Sequence, residues 1–337
     1  LHDNQNKLNT WVEYGYHASM KWIPKRIDER GNIFNYFPEA KSVIAVGMNY
    51  YTDKQIGKDN IGKISNYAWG EDYHIILKNK LFELLKFIQD VYPSVKYRVC
   101  VDTSPIMDKV WAQKSGLGWQ GKHTTLINKE YGSWLFLGEL LLDITLDYDK
   151  PFEQDLCGNC TKCIDSCPTG ALSDYILDSN KCISYLTIEH RGEFENNTSK
   201  NLDGWIYGCD ICQDVCPWNI KFSTISDEKS FYPREQIKKM DIEKWKLMTK
   251  DQFKKIFKKS PIKRTKFEGL KRNIDSAQRR LDLADGTMQQ AINVMTRISE
   301  LAIQAANDTN GVPERIAIRT EVEQLANVML EIANTRD

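Results

Sequence analysis

Over the first 150 residues, hydrophobic and polar positions alternate between strand-like and helix-like stretches. Residues 41–50, "KSVIAVGMNY", form a short apolar run and predict a buried strand. Ile75, Leu77, Leu81, Leu84, Leu85 and Ile88 recur near helical spacing and predict an amphipathic helix over 75–92. "KYRVCVDTSP" reads as a strand that runs into a turn at Pro105. "HTTLINKEYGSWLFLGELLLDI" predicts a β-hairpin turning at "NKEYG". Its second arm carries Glu139 and reads as a buried strand, too short and too charged to span a membrane. This succession predicts an α/β domain over 1–150. Gly116, Gly118 and Gly121 in "SGLGWQGKHTTLI" permit either a tight connection or close backbone approach to a ligand.

The pattern changes after Arg272, beyond which there is no Lys, Cys, His or aromatic residue. Leu281, Met288, Met295 and Ala302 recur every seven residues, as do Ala284, Ala291, Ile298 and Ala305 on the neighbouring register. Together they predict an apolar helix seam. "NDTNGVPE" breaks the helix, and Ile318, Val322, Leu325, Met329 and Ile332 resume it. The expectation for 273–337 is a coiled-coil-like helical hairpin.

Composition adds limits. The chain of 337 residues has room for two or three domains. Its 46 basic and 46 acidic residues cancel, so net charge indicates no partner. The chain opens on Leu1, already in a helix-like stretch, which leads us to expect a truncated first domain.

Cysteine placement changes the picture most. Cys157, Cys160, Cys163 and Cys167 stand at C-x2-C-x2-C-x3-C, followed by Pro168. Cys209, Cys212 and Cys216 form a second run before Pro217, with Cys182 between the two. In two-cluster ferredoxins the cysteine before proline ligates the other cluster. That logic assigns Cys157, Cys160, Cys163 and Cys216 to one [4Fe–4S] cluster, and Cys167, Cys182, Cys209 and Cys212 to a second. Zinc on two C-x2-C pairs leaves the third cysteine of each run and both prolines unexplained. Cys100, the ninth, reads as a small buried hydrophobe. An odd, clustered count suits metal ligation in a reducing cytoplasm better than a secreted disulfide framework.

Residues 251–272 carry nine Lys or Arg against two acids, with Phe253, Phe257 and Phe267 interleaved. The segment 223–272 therefore reads either as a basic helical surface able to grip phosphates or as a solvated helix with core phenylalanines.

"PEAKSVIAVGMNYY", "YAWGEDYH", "VDTSPIMDKVWAQKSGLGWQGKHTTLI", the two cysteine runs and "CISYLTIEHRG" together resemble the epoxyqueuosine reductase family, over roughly residues 8–272. The resemblance implies an α+β multidomain protein. It would have a cobalamin-binding α/β domain over 1–150 and a ferredoxin-like domain with two [4Fe–4S] clusters over 151–222. The implied reaction is the reduction of epoxyqueuosine to queuosine in tRNA, in the cytoplasm, with electrons passed from an unidentified donor through the clusters to cobalt. The matching motif places the proton donor at Asp102, a role that burial would favour by raising its pKa toward neutrality; without the resemblance, Asp102 reads as a turn-capping residue. Asp108 is the second candidate acid. Motif alignment places cobalamin contacts at Arg30, Ser65, Asp102, Leu126, Leu137, Ser184 and Asp210, with Ser65 at a position where the side chain is free to vary. The basic segment becomes an expected tRNA contact. "IDSAQRRLDLADGTMQQAINVMTRISELAIQAANDTNG" resembles instead the N-terminal helical region of flagellin and hook–filament junction proteins. The expectation is a fused or chimeric tail without a catalytic part.

The competing readings are a reductive dehalogenase-like corrinoid enzyme, a ferredoxin-type electron carrier and a flagellar component. The basic segment favours an RNA substrate over the first. The 150 residues before the clusters speak against the second, and the ordered cysteines against the third.

Overall fold

The computed structural model describes residues 2–53, 62–194, 202–307 and 311–334. The chain divides into two compact units, Leu1–Ile274 and Asp275–Asp337.

At the centre of the first unit is a three-stranded sheet. Strand Leu135–Leu142 lies in the middle, antiparallel to both Ser42–Asn49 and Tyr97–Cys100. The sheet is thus antiparallel at each pairing, although helices and strands alternate in sequence as expected. Side chains of the central strand divide by the two-residue period. Phe136, Leu140 and Leu142 join Leu77, Leu81 and Leu85 of helix Tyr73–Val91. Leu141 faces the other way, toward Ile33, Phe37, Cys100 and Ile106. Glu139, two residues back, shares that second face.

Gly138 sets how closely the helix can approach. A Cβ there would lie 2.9 Å from a Leu77 methyl and 3.1 Å from a Leu81 methyl, so any larger residue would press on these leucines. Asp72 caps the helix, accepting the backbone amide of His74 at 3.2 Å. Tyr73 and His74 are thereby fixed at the helix start.

The expected hairpin over 123–144 does not form. Leu126–Ile127 pairs with Trp119–Gln120, whereas 135–142 enters the central sheet. The "NKEYG" loop still closes, through a bridge between Asn128 and Gly132. Just beyond it, the Ser133 amide donates to Asn219 Oδ1 at 2.6 Å and the Tyr50 amide donates to the Trp134 carbonyl at 3.0 Å. These tertiary bonds redirect the second arm.

The second unit contains most of helix Lys266–Ala305 and all of Val312–Asn334. Arg297 joins the two helices through Glu321 at 2.8 Å. The partly or fully buried stripe is Ala291, Val294, Ile298, Leu301 and Ala305, opposite Ile318, Val322, Leu325, Met329 and Ile332. Met288 and Met295, expected in the seam, are exposed. With a single helix to face, only one of the two seven-residue registers is covered. The Leu281 side chain lies outside the described residues.

Among the described residues, no helix is long and apolar enough to cross a membrane.

Candidate active site

Strand Tyr97–Cys100 ends in a turn that holds Asp102 at φ +54°. A non-glycine residue there is uncommon, though aspartate tolerates it better than most. The carboxylate does not serve as a simple turn cap. Its Oδ2 accepts from the Tyr73 hydroxyl at 2.9 Å and lies 3.2 Å from His74 Nε2. His74 Nδ1 is in turn 2.7 Å from Asp72 Oδ1, and Asp72 Oδ2 accepts from Lys263 Nζ at 2.7 Å. A continuous polar chain therefore runs Lys263–Asp72–His74–Asp102. Tyr73 is braced from behind, stacked on Phe136 with ring centroids 4.2 Å apart.

The electrostatics reverse one expectation. Burial pushes the Asp102 carboxyl upward, but the His74 hydrogen bond and charge, the Tyr73 hydroxyl and Lys109 outweigh it, leaving it below its ordinary value. Burial likewise lowers His74, yet the Asp102 and Asp72 carboxylates carry it up to about 9. The proton of this pair thus resides on the imidazole.

Asp102 is 61% exposed although protein surrounds it on most sides, which marks it as lining a recess. Lys109 has the same character. Burial depresses its ammonium, while Asp108, Asp102, Cys212 and Cys182 act to raise it. Lys109 therefore lies within the fields of both the acid and the second cysteine set. Arg30 donates to the Ile106 carbonyl at 3.2 Å and feels Asp108 and Asp102. Its Nε is buried without a hydrogen-bond partner, as is Nε2 of His123, an imidazole that burial and then Lys109 lower to about 4. Behind them lies a buried acid pair. Burial and then Asp108 push Glu139 well above its ordinary value, and Asp108 is itself raised, chiefly by burial.

The cysteines act on one another in two overlapping groups, with Cys212 raised by burial and by Cys182 and Cys167 but also by Cys163. Burial raises Cys163 to about 11, and the thiols that add to this are Cys216, Cys157 and Cys160. Cys209 is raised by burial and by Cys212 and Cys182; Cys182 in turn feels Cys167. Cys182 and Cys216 are matching N-caps, at φ −69° and ψ near 122° for both, each opening a short helix. Backbone amides of Ser184 and Tyr185, and of Trp218 and Asn219, point at the two sulfurs. Such donors stabilise thiolate. Cys100 is a fully buried core residue on its strand.

The remaining sequence-selected residues fall in several places. Ser65 and Asp210 are brought together. Ser65 is buried rather than free to vary, and its hydroxyl donates to Asp210, which also accepts the Asn66 amide at 2.7 Å. Gly208, at φ +70°, makes room, since a Cβ there would collide with Ser65. Leu126 is buried on its short strand, Leu137 half-buried on the central strand and Ser184 half-buried beside Cys182. In the basic segment Phe253 and Phe257 are buried core, whereas Lys255, Lys258 and Lys259 are exposed. Arg272 departs from its expected surface role. It is buried and donates to the carbonyls of Leu186, His190 and Gly192.

Comparison with known proteins now decides the family. An epoxyqueuosine reductase of Cyclobacterium marinum is 44% identical over 81% of this chain and 88% of its own length. One from Synechocystis is 46% identical over 79% and 92%. The chain belongs to the epoxyqueuosine reductase family. As such it is an oxidoreductase. The family model "Epoxyqueuosine reductase QueG, DUF1730" matches residues 30–103, which include Arg30, Ser65, Asp72, Tyr73, His74 and Asp102. A "4Fe-4S double cluster binding domain" matches 156–219, a span holding the seven cysteines of the two runs and Cys182, so iron–sulfur clusters belong to this reductase fold. The crystal structure of an epoxyqueuosine reductase with an epoxyqueuosine-modified tRNA stem loop shares the fold (TM-score 0.75, 24% identity, 97% of this chain and 92% of that one). The enzyme from Streptococcus thermophilus superposes at TM-score 0.72 with 27% identity, over 100% of this chain and 88% of its own. The bacterial flagellin N-terminal helical region matches 263–337.

Spacing alone assigns no role to Asp72, Tyr73 and His74 of "YAWGEDYH", nor to Lys109. The available signal is two proton-bearing side chains beside an acid in one short motif.

Proposed function

We propose that this reductase converts epoxyqueuosine in tRNA to queuosine, in the cytoplasm, using cobalamin and two [4Fe–4S] clusters. The observation that carries the reading is that Lys109 lies within the fields both of Asp102, which is bonded to Tyr73 and His74, and of the Cys182 and Cys212 thiols. In this reading Cys157, Cys160, Cys163 and Cys216 hold one cluster, and Cys167, Cys182, Cys209 and Cys212 the other.

A corrin is a broad apolar ring edged with amides. Within the fields of Asp102 and Lys109 the chain holds the unpaired Arg30 Nε and His123 Nε2, with the exposed Lys109 ammonium beside them as a further donor. Arg30, Ser65, Leu126, Leu137, Ser184 and Asp210 are the further proposed contacts. Bound cobalamin, reduced through the clusters, would supply the electrons that open the epoxide. The chain itself supplies placement and protons. Tyr73 orients the Asp102 carboxyl, and Asp102 passes a proton to the departing oxygen. Lys255, Lys258 and Lys259 present positive charge to the tRNA backbone.

The test is anaerobic reconstitution with iron, sulfide and cobalamin, followed by mass spectrometry of an epoxyqueuosine-bearing tRNA stem loop. About eight irons per chain, a bound-corrin spectrum and conversion to queuosine are expected. Eight irons with corrin but an unchanged nucleoside would sink the substrate assignment.

A further inference from the structure

We propose that His74, held by Asp72, is the positioning residue that returns a proton to Asp102 within each turnover. This rests on Asp102 acting as the acid in the reaction above. Converting an epoxide to an alkene breaks two C–O bonds, takes up two electrons and releases the oxygen as water. Two protons must therefore reach one oxygen, and a carboxyl group carries one. A second proton source has to stand within reach of Asp102.

Among the described residues two proton-bearing groups do so, the Tyr73 hydroxyl at 2.9 Å and His74 Nε2 at 3.2 Å. Tyr73 is unsuited to giving its proton away, because burial and then the Asp102 charge hold it well above the ordinary tyrosine value. His74 is built for the transfer. Its Nδ1 faces one carboxylate at 2.7 Å and its Nε2 faces the other. An ionised carboxylate only accepts, so with both acids ionised both ring nitrogens must carry hydrogen. The alternative arrangement has a neutral imidazole accepting from a protonated Asp102. One proton thus has two resting places along a single contact.

The supporting groups bias it appropriately. Asp72 stays ionised because it caps the helix and binds Lys263. The Tyr73 ring stacks on the imidazole at 4.1 Å. Lys109, Arg30 and Arg264 share the field of Asp102, as do the acids Asp108 and Glu139. In the relay, the Nε2 proton of His74 moves to Asp102 and on to the substrate oxygen, and once the imidazole is reprotonated a second proton follows the same route. The imidazole keeps its Nδ1 hydrogen on Asp72 and regains a proton from solvent at its exposed edge.

The experiment measures kcat and KM of the reconstituted holoenzyme on the epoxyqueuosine stem loop from pH 6 to 10, for wild type, His74→Gln, Asp72→Asn and Asp102→Asn. Wild type should lose kcat through an alkaline limb near pH 9. His74→Gln should lower kcat about 100-fold, within the range of general acid–base effects, abolish the limb and leave KM within about twofold. Asp72→Asn should move the limb down by about one pH unit or more. If His74→Gln loses its iron, Asp72→Asn decides alone, and an unmoved limb overturns the relay. An inactive Asp102→Asn beside unaltered His74→Gln and Asp72→Asn profiles would overturn the relay while sparing the acid. A fully active Asp102→Asn would overturn the acid assignment on which the relay rests.

Discussion

Asp210, the residue after Cys209, accepts the backbone amide of Asn66 at 2.7 Å, across 144 positions of sequence. The Ser65 hydroxyl donates to its other oxygen. One carboxylate thereby ties the loop beside a cysteine run to the segment that leads into the recess. Asp210→Ala strands two buried donors, at about 1–3 kcal/mol each. The thermal midpoint should fall by roughly 5–10 °C. Iron content, read in parallel, should remain near wild type, because Asp210 is not a ligand. A midpoint within about 1 °C of wild type would mean that the tie contributes nothing to stability.

Glu139 gives a stability that depends on pH, and its sign is fixed. Burial and then Asp108 raise its carboxyl in the folded chain well above 4.5. The folded state therefore binds this proton more tightly than the unfolded state. The resulting stability is fully present below about pH 4.5 and declines as pH rises toward the folded value, at up to about 1.4 kcal/mol per unit. Glu139→Gln keeps the shape without needing the proton. The variant should melt close to wild type at pH 5 and progressively above it toward pH 8. Parallel midpoint-against-pH curves would mean that Glu139 is ionised in the folded protein.

The elements with strong local period were legible in the sequence. "KSVIAVGMNY" and the Leu77–Leu81–Leu85 spacing correspond to strand and helix because one face of each meets a single core. The hairpin was not legible, since Asn219, far along the chain, claims the Ser133 amide. Seven of the eight cysteines advertise themselves by short spacing, whereas Cys182 stands alone between the runs. The polar chain behind Asp102 does not, because Asp72 meets Lys263 across 191 residues and His74 meets Asp102 across 28. Lone polar residues carry no periodic signal of their tertiary partners. The direction of the Asp102 shift was hidden for the same reason, as it depends on an imidazole that spacing could not place.

The crossed cysteine assignment makes a prediction that a sequential assignment does not. Cys216 lies among the neighbours that act on Cys163, and Cys167 acts on Cys182. Cys216→Ser should therefore lose the same cluster as Cys157→Ser, and Cys167→Ser the same one as Cys209→Ser. Each should retain about four of eight irons, and the two classes should leave different residual paramagnetic resonance signals after reduction. Cys100→Ser should keep the full iron complement. Cys216→Ser and Cys209→Ser leaving the same residual signal would refute the crossing.

The basic segment separates binding from folding residue by residue. Lys258 and Lys259 are exposed, so substituting both by Gln should leave the melting curve unchanged. It should weaken stem-loop binding and reduce the slope of log affinity against log salt by about 0.7–0.9 for each phosphate no longer neutralised. Arg272 should behave in the opposite way. Its guanidinium satisfies three backbone carbonyls and lies 4.1 Å over the Phe194 ring. Arg272→Ala leaves those carbonyls unpaired and vacates packed volume, so a loss of about 3–5 kcal/mol is expected. Fluorescence anisotropy across a salt series, with thermal melts of the same samples, distinguishes the two classes. If Arg272→Ala kept its midpoint while the double lysine variant kept its salt slope, the assignment of both roles would be wrong.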